Sequence, residues 1–593
     1  MTLTALDWVL LGVLLLFPFL VATQTARRAG ENVTQYFLAG RNLPWWVAGT
    51  SMVATTFAVD TPLAVTGIIA QDGVAGNWIW WNGALGSMLS VLFFARLWRR
   101  AGILTDVAFV ELRYSGQAAA VLRALRALYL GLPINCLIIG WVNLAMSKIL
   151  SVTLGWDRLT AVFVGLALTG GYVSLSGLRG VVLADLFQFG IAIAGALAVA
   201  YFALSATGVE SIAGLQDQLP GETFRFFPSL ETTGGTTEGT FALSVTAFIA
   251  FLGVQWWATW YPGQEPGGGG YLAQRMMSAR NERHSLLATL WFTLAHYCVR
   301  PWPWILAGLA ALLLYPDISD REAGYALLIR DYVPPGWRGL VLGGLVAAFM
   351  STMSTQLNWG TSYLVHDVYE RFVRPDADDA HYVRVARLTT LAVMLLSAAV
   401  TMYLDTVRQA WEFILESGAG IGLVLILRWY WWRVNAWSEI SAMIAPVIGL
   451  AWLSLFTSVT FPHSLIVLVG WTTGCWLTVT WLTPAEPNAT LVAFYKRVRP
   501  GGPGWTHVAS LAGMPPPASV GGQLLDWAAG VVLVYATLFG TGATLLHGPW
   551  KGAPWLAVAV AAGAILYHRF TKQDWSAIID QDAAVRRAVV AKT

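Results

Sequence analysis

The sequence predicts an all-α polytopic membrane protein with about fifteen transmembrane helices, and three observations carry that reading. Of 593 residues, 56% are hydrophobic and only 12% charged, with a mean hydropathy of +0.59, which is not the composition of a soluble chain. Fifteen apolar runs are long enough to cross ~30 Å of hydrocarbon. No charged or Pro/Gly/Ser-rich linker divides the chain into separate soluble domains. The net charge of +3 comes from dispersed residues, which argues against nucleic acid as a partner. Cys136, Cys298 and Cys475 lie in apolar stretches and make neither a disulfide framework nor a metal-ligand pattern.

The first run, from Ala5 to about Thr23, has no basic stretch before it and no small-residue cleavage site after it. It therefore reads as a retained helix, not a signal peptide. Later runs begin near Trp45, Asn77, Leu125, Leu159, Val182, Phe241, Leu287, Gly339, Leu388, Trp411, Ser438, Ser464, Leu525 and Pro554. They organise the chain into an extra helix and its connection (1–43), helices one to five of a repeat set (44–207), an acidic, Gly/Thr-rich external loop (208–240) and helices six to ten (241–436). Two further helices (437–483), a polar cytoplasmic tether (484–524), and two C-terminal helices with a tail (525–593) complete it. With the N-terminus outside, 27 of the 36 Lys and Arg residues fall on the inner side and eight on the outer. That asymmetry predicts a multi-pass protein of the inner (plasma) membrane with its N-terminus outside and its C-terminus in the cytoplasm.

Two runs are built to break. In Ser51-Met52-Val53-Ala54-Thr55-Thr56-Phe57-Ala58-Val59-Asp60-Thr61-Pro62, Pro62 has no N–H for the Ala58 carbonyl and its ring opens that turn. Carbonyls around Phe57 and Ala58 then need new partners, a bound cation among the candidates, with a merely kinked helix as the alternative. In Tyr261-Pro262-Gly263-Gln264-Glu265-Pro266-Gly267-Gly268-Gly269-Gly270 the chain cannot continue as a regular helix. The breaks open the first and sixth of ten helices beginning at Trp45, and five helices, an odd number of crossings, separate the starts of the two halves, so the second half is inverted. Paired interruptions of this kind mark the substrate site of an inverted-repeat transporter. A third segment, Ala348 with Ser351 and Thr352 at i, i+3 and i+4, presents oxygen ligands on one helix face. Back-bonding hydroxyls or interhelical glue are the alternatives there.

Taken together, Tyr36-Phe37-Leu38-Ala39-Gly40-Arg41-Asn42-Leu43-Pro44-Trp45-Trp46, Ala54 to Asp60, Leu178-Arg179-Gly180-Val181-Val182-Leu183-Ala184-Asp185-Leu186-Phe187-Gln188 and Ala348-Phe349-Met350-Ser351-Thr352 resemble the sodium:solute symporter family over about residues 5 to 440. The resemblance implies a LeuT-like fold of two inverted five-helix repeats, with one helix before them and about four after. It implies sodium as the coupling ion, held by the carbonyls of Ala54, Phe57 and Ala348 and the hydroxyls of Ser351 and Thr352. Asp185 matches an acidic position that in some members serves a second cation site or coupling; the alternative is a helix N-terminal carboxylate beside Arg179. Substrate positions of the sugar-transporting members transfer poorly. Their acidic and amide residues on the second helix are Ile79-Trp80-Trp81-Asn82 here, and Trp256, Trp257 and Trp260 replace polar residues on the sixth.

Ionisable residues at bilayer depth cost at least ~2.5 kcal/mol on insertion scales, so each is a functional candidate. Asp60, with Thr61 beside it, lies at the first break and could receive an ammonium group, a proton or Arg300. The Arg300 guanidinium could grip a substrate carboxylate in two parallel bonds, or it snorkels or pairs structurally. Glu412 and Glu416 share a face of the tenth helix. Trp256, Trp257 and Trp260 are placed to stack on a substrate or gate it, and Asn82, Asn143 and Asn358 to orient one or to glue helices. The resulting expectation is sodium-coupled symport of a small polar organic solute by alternating access, in a lipid bilayer. A proton-coupled transporter of the same fold and a non-transporting, transporter-like sensor are the alternatives. An enzyme would call for clustered His, Asp or Glu at one membrane face. The eight histidines are scattered, no catalytic residue is assigned, and the chain is read as a non-enzyme.

Overall fold

The computed structural model describes residues 1–29, 33–209, 212–228, 243–573 and 575. Residues 210, 211 and 229–240 of the expected external loop, Glu231 and Glu238 among them, and Arg586, Arg587 and Lys592 of the tail lie outside the described residues. Among the latter there is no strand, only an isolated bridge between Leu43 and Ala279. Helix α1 is Ala5–Ala29. Then follow α2 (Trp45–Thr56), α3 (Asp60–Asp72), α4 (Val74–Ala101), α5 (Gly116–Leu154) and α6 (Arg158–Ala206). The second half holds α7 (Val245–Ala258), α8 (Gly270–Ser278), α9 (Glu282–Leu314), α10 (Arg338–Val373), α11 (Asp379–Met402), α12 (Val407–Ser417) and α13 (Ile421–Tyr430). Helices α14 (Ala436–Phe456), α15 (His463–Leu482), α16 (Gly521–His547) and α17 (Pro549–Thr571) close the chain.

Among the described residues, eleven helices are long and apolar enough to span a membrane, or up to 13 if each bent pair is one span. Two further expected spans fall on shorter apolar stretches, Arg158–Gly170 and Val245–Ala258. The first of these belongs to α6, which is helical for 49 residues and would be about 74 Å long if straight. It is not straight. A Cβ on Gly165 would lie 2.9 Å from the Phe349 ring, and Asp185 accepts a bond from Ser351, two residues further along α10. Twenty residues of straight helix would separate those points by about 30 Å, so α6 folds back as two antiparallel arms, the spans read from Leu159 and Val182.

Loop contacts sort the molecule into two faces. Arg41 donates to the carbonyls of Gly102 and Ile103, Arg100 to Val498 and Glu282, and Arg113 to Arg428, Trp431, Trp432 and Val434. These bonds gather the basic loops onto one face, with Asn435 reaching Pro484. On the other face the N-terminal amine donates to Thr153 O (2.7 Å), Lys148 pairs with Glu322 (2.8 Å) and Arg158 reaches Leu404 O (2.7 Å). The segment 484–524 is packed rather than loose: Trp505 is fully buried and its Nε1 donates to Trp429 O (2.7 Å). Asp7 of α1 accepts from the backbone N–H groups of Gly336 and Gly339 (3.0 and 2.7 Å), capping the start of α10. Helix α16 docks through Tyr535 Oη on Trp81 O and Trp527 Nε1 on Leu85 O, both 3.0 Å.

Three breaks position the site. Helices α2 and α3 meet at 56°; Pro62 sits in the first turn of α3, where a missing N–H is free of cost. Residues 259–269 separate α7 from α8. The third break interrupts the span read from Trp411: α12 and α13 meet at 50° around Gly418-Ala419-Gly420. Backbone bonds tie this break to the sixth-helix break, Trp260 N to Gly418 O (3.2 Å) and Gly420 N to Ala258 O (2.8 Å). Gly420 has φ +84°, and a Cβ there would overlap Thr472. Gly420→Ala is therefore expected to cost about 1–2 kcal/mol from the left-handed conformation alone. Thermal unfolding in detergent should show a lower Tm for it, and no loss for Gly474→Ala, a helical position with open space around it.

Candidate ion and solute site

Ending α2 at Thr56 frees carbonyls in the middle of the protein, and side chains of two other helices take them. Thr352 Oγ1, on α10, donates to Thr55 O (2.9 Å) and to its own Ala348 O (3.1 Å). Arg300 Nη1, on α9, donates to Thr56 O. A guanidinium suits this position because the carbonyl end of a helix carries partial negative charge. Arg300 also donates from Nε to His296 O (3.2 Å) and from Nη2 to His296 Nε2 (2.9 Å). Since arginine only donates, Nε2 accepts, and the proton of the neutral ring sits on Nδ1, 2.9 Å from Thr56 Oγ1. A wider π turn over Ala295–Val299, just before Pro301, sets this stretch. Arg300 is 3% exposed and lies over the Trp80 and Trp304 rings. That overturns the snorkelling alternative.

Beside this helix end lies a polar core. Asp185 accepts from Ser51 Oγ (2.5 Å) and Ser351 Oγ (2.6 Å) and is fully buried. Asp185 stands in the second arm of α6, within the span Leu178–Ala206. Arg275, on α8, donates to Ser51 Oγ (3.3 Å), Thr355 Oγ1 (2.8 Å) and Gln274 Oε1 (2.9 Å). Thr55 and Thr355 hydroxyls meet at 3.1 Å across the α2–α10 seam. Ala54, Phe57, Ala348, Ser351 and Thr352 thus come from the two elements that meet at this seam. Three carbonyls and two hydroxyls are the donor set that a hard, weakly polarising cation takes.

At the helix end, bordered by Thr55, Thr56 and Thr352 themselves, is a cavity of about 740 Å³ counted with the open space at its mouth. Asp60, Thr61 and Arg300 line it, together with Gln255, Gln264, Gln356, His296 and the aromatic side chains of Trp80, Trp141, Tyr261, Tyr271 and Trp411. Asp60 is 3% exposed, and its Oδ1 has no hydrogen-bond partner; Gln255 Oε1 and Gln356 Oε1 are likewise unpartnered. Trp141 and Tyr261 stack at 6.4 Å with 12° between their planes.

The other expected solute residues stand elsewhere. Asn82 turns its amide onto Trp78 O and Ile79 O of its own helix. Asn143 reaches Thr401 Oγ1 on α11 (3.3 Å), and Asn358 accepts from Gln274 (3.2 Å), both as helix–helix glue. The indoles of Trp256 and Trp257 bond back to Leu252 O and Gly253 O, and Trp256 stacks on Trp527 of α16. Trp260 lines a smaller space with Arg126 and Tyr129. Glu412 is held by Arg408 (2.9 Å), which also pairs with Asp72 (3.1 Å) at the opposite face from the basic loops. Residues missed from the sequence include His296, whose signal was its i, i−4 spacing to Arg300, and Arg275, which lies in the last turn of the short α8.

Comparison with known proteins agrees with this architecture. The model of the sodium:solute symporter family matches residues 36–449. A sodium/glucose cotransporter of Vibrio parahaemolyticus is 24% identical over 446 residues, covering 70% of this chain and 78% of the relative. Sodium/glucose cotransporter 4 of Danio rerio is 24% identical over 488 residues, covering 76% and 72%. A solved structure described as the substrate-bound, outward-open state of a Na+-coupled sialic acid symporter superposes with a TM-score of 0.68 at 18% identity, covering 82% of this chain and 99% of that one. That likeness shows the fold. With the family match spanning most of the chain and the all-helical, twice-five architecture in place, the protein belongs to the sodium:solute symporter family.

Proposed function

We propose that this protein is a sodium-coupled symporter whose solute is a small zwitterion, moved by alternating access in the membrane. The observation that carries the reading is the α2 end: one carbonyl faces the hydroxyls of α10 and the next faces Arg300 in the cavity. Sodium binds the carbonyls of Ala54, Phe57 and Ala348 and the hydroxyls of Ser351 and Thr352. Thr352 Oγ1 ligates it through a lone pair while its O–H still donates to Thr55 O, so the ion ties down the helix end that forms the cavity wall. Asp185, already holding Ser51 and Ser351, is the candidate for a second cation, with the Arg275 guanidinium as its competitor. The N-terminal face lies outside and the basic loops face the cytoplasm, as the distribution of Lys and Arg requires.

The charges of the cavity argue for the solute class. Asp60 and Arg300 line the same space without pairing with each other. Each was desolvated at a cost that only an opposite charge recovers well. Three of the five N–H groups of Arg300 are engaged by Thr56 O, His296 O and His296 Nε2, which leaves two for a carboxylate. Asp60 Oδ1 then takes an ammonium group. A neutral sugar would meet the glutamine amides but would leave both charges uncompensated.

Two outcomes are expected. In a thermal-shift titration, sodium raises the apparent stability over potassium at matched ionic strength by RT ln(1 + [L]/Kd), about 2.7 kcal/mol at 100 Kd. The increment disappears in Ser351→Ala/Thr352→Ala; equal effects of the two ions on the wild type would count against sodium coupling. In saturating sodium, a panel of amino-acid-like zwitterions, sugars and polyamines should yield its hits among the zwitterions. Asp60→Asn and Arg300→Gln should each weaken those hits by about 30-fold or more, as removing one partner of a buried charge pair costs upward of ~2 kcal/mol. Hits confined to sugars would sink the zwitterion reading and leave sodium coupling standing.

A further inference from the structure

A second carboxylate sits at the other break, outside the transport site. Glu265, between α7 and α8, is 3% exposed, and neither of its oxygens has a hydrogen-bond partner. Its own glycine tract wraps it. A Cβ on Gly269 would touch the Glu265 side chain, and one on Gly270 would overlap Oε1 while standing 3.5 Å from the Trp359 ring. Trp98 pins the tract from α4, its Nε1 donating to Gly267 O (2.9 Å).

The charged and titratable groups around Glu265 come from six elements. Asp106, in the loop after α4, accepts from Gly270 N (3.1 Å) and from the Tyr363 hydroxyl of α10. Arg126, on α5, stands 4.0 Å from Asp106 and 3.0 Å from Glu439. Arg428, on α13, reaches Glu439 at 3.3 Å. Tyr271, on α8, is the remaining titratable neighbour. Farther out, Arg113 is spent on backbone carbonyls and Glu486 on Ser115. Arg126 and Arg428 are thus matched by Asp106 and Glu439, and Glu265 is left over. An ionised carboxylate so placed, with the Arg126 charge already shared by Asp106 and Glu439 and only the backbone N–H groups of Gly263 and Glu265 close by, costs several kcal/mol. A metal ion would need several oxygens, but the nearby ones are taken: Gly267 O by Trp98, Glu265 O by Gly268 N, and the Asp106 carboxylate by Gly270 and Tyr363. A proton needs none of them.

We propose that Glu265 is a proton-binding site, occupied while the glycine tract is packed against Trp98 and Trp359. It empties when the tract separates from them. In that step the carboxyl O–H bond breaks, the proton passes to water entering from the basic face, and the carboxylate left behind faces Arg126. This goes beyond the symport reading and needs from it only that the sixth-helix break moves.

Infrared spectroscopy of the purified full chain at neutral pH tests it. A protonated-carboxyl C=O band is expected in the wild type and missing in Glu265→Gln. Labelling with 13C-glutamate should shift the same band in unsubstituted protein, which separates it from Asp60 and Asp185 and keeps the test alive should the variant fail to fold. A carboxyl that keeps its proton in the folded chain and releases it on unfolding makes stability fall as pH rises. The wild-type Tm should therefore decline more steeply from pH 6 to pH 9 than that of Glu265→Gln. Absence of a glutamate-derived carboxyl band would overturn the proposal. So would a glutamate carboxylate band that responds to exchanging sodium for choline, since a metal ion would then be the occupant.

Discussion

Two adjacent peptide carbonyls, Thr55 O and Thr56 O, set the terms for the rest of the molecule. A helix that ends in the middle of a membrane protein exposes acceptors that no water or lipid can satisfy, so protein groups must come to them. Here the two carbonyls are served by different helices, a hydroxyl from α10 and a guanidinium from α9. Arg300 could not be buried there alone. Its Nε and Nη2 are satisfied by His296, and Trp80 and Trp304 supply ring faces to its charge. The break is therefore held open by interactions that also define the cavity.

The other two breaks are joined backbone to backbone. The Trp260–Gly418 and Gly420–Ala258 bonds work because Gly418, Gly420 and Gly422 let the tenth helix approach the unwound sixth; a Cβ at Gly422 would overlap Trp257 O. Such contacts have little slack, since packed backbones move by whole rearrangements rather than by gradual deformation. A shift of the sixth-helix break must carry the tenth-helix break with it. Trp411, on α12, and Tyr261, in the sixth-helix break, both line the cavity and lie 6.1 Å apart, centroid to centroid. Their common motion changes its shape directly.

The membrane class, the two repeats and the first and sixth breaks were legible because each leaves a local mark. Length and apolarity mark a span, Pro62 marks one break, and Pro262 to Gly270 marks the other. The third break escaped because Gly418-Ala419-Gly420 inside an apolar run is what an uninterrupted membrane helix also carries. Which way a side chain faces is not local. Trp256 and Trp257 stand beside the break as expected, yet their indoles return to carbonyls four residues back and leave the cavity to aromatic groups from other elements. For Arg300 the depth could be read from the sequence, but its partner Thr56 O lies 244 residues away. Glu412 has the composition of a site residue and the surroundings of a face-bridging ion pair.

The arrangement of charges around the α2 end also bears on why an ion and a solute would bind together. Sodium at the Ala54, Phe57 and Thr352 oxygens and the Arg300 guanidinium would both draw on the same helix terminus, and two positive charges on one helix end repel. Unit charges about 8 Å apart interact by roughly 2 kcal/mol at an effective dielectric constant of about 20. A carboxylate delivered to Arg300 cancels that repulsion, so the ion and an anionic solute group each favour the other's binding. Reciprocity makes the two effects equal. A neutral solute brings no such relief, and its coupling to sodium would have to come from shape alone. The carboxylate of Asp60, in the same cavity but not in a direct ion pair with Arg300, attracts the cationic end of a zwitterion. The same two charges that would select the solute class thus also supply a sign for its coupling to the ion.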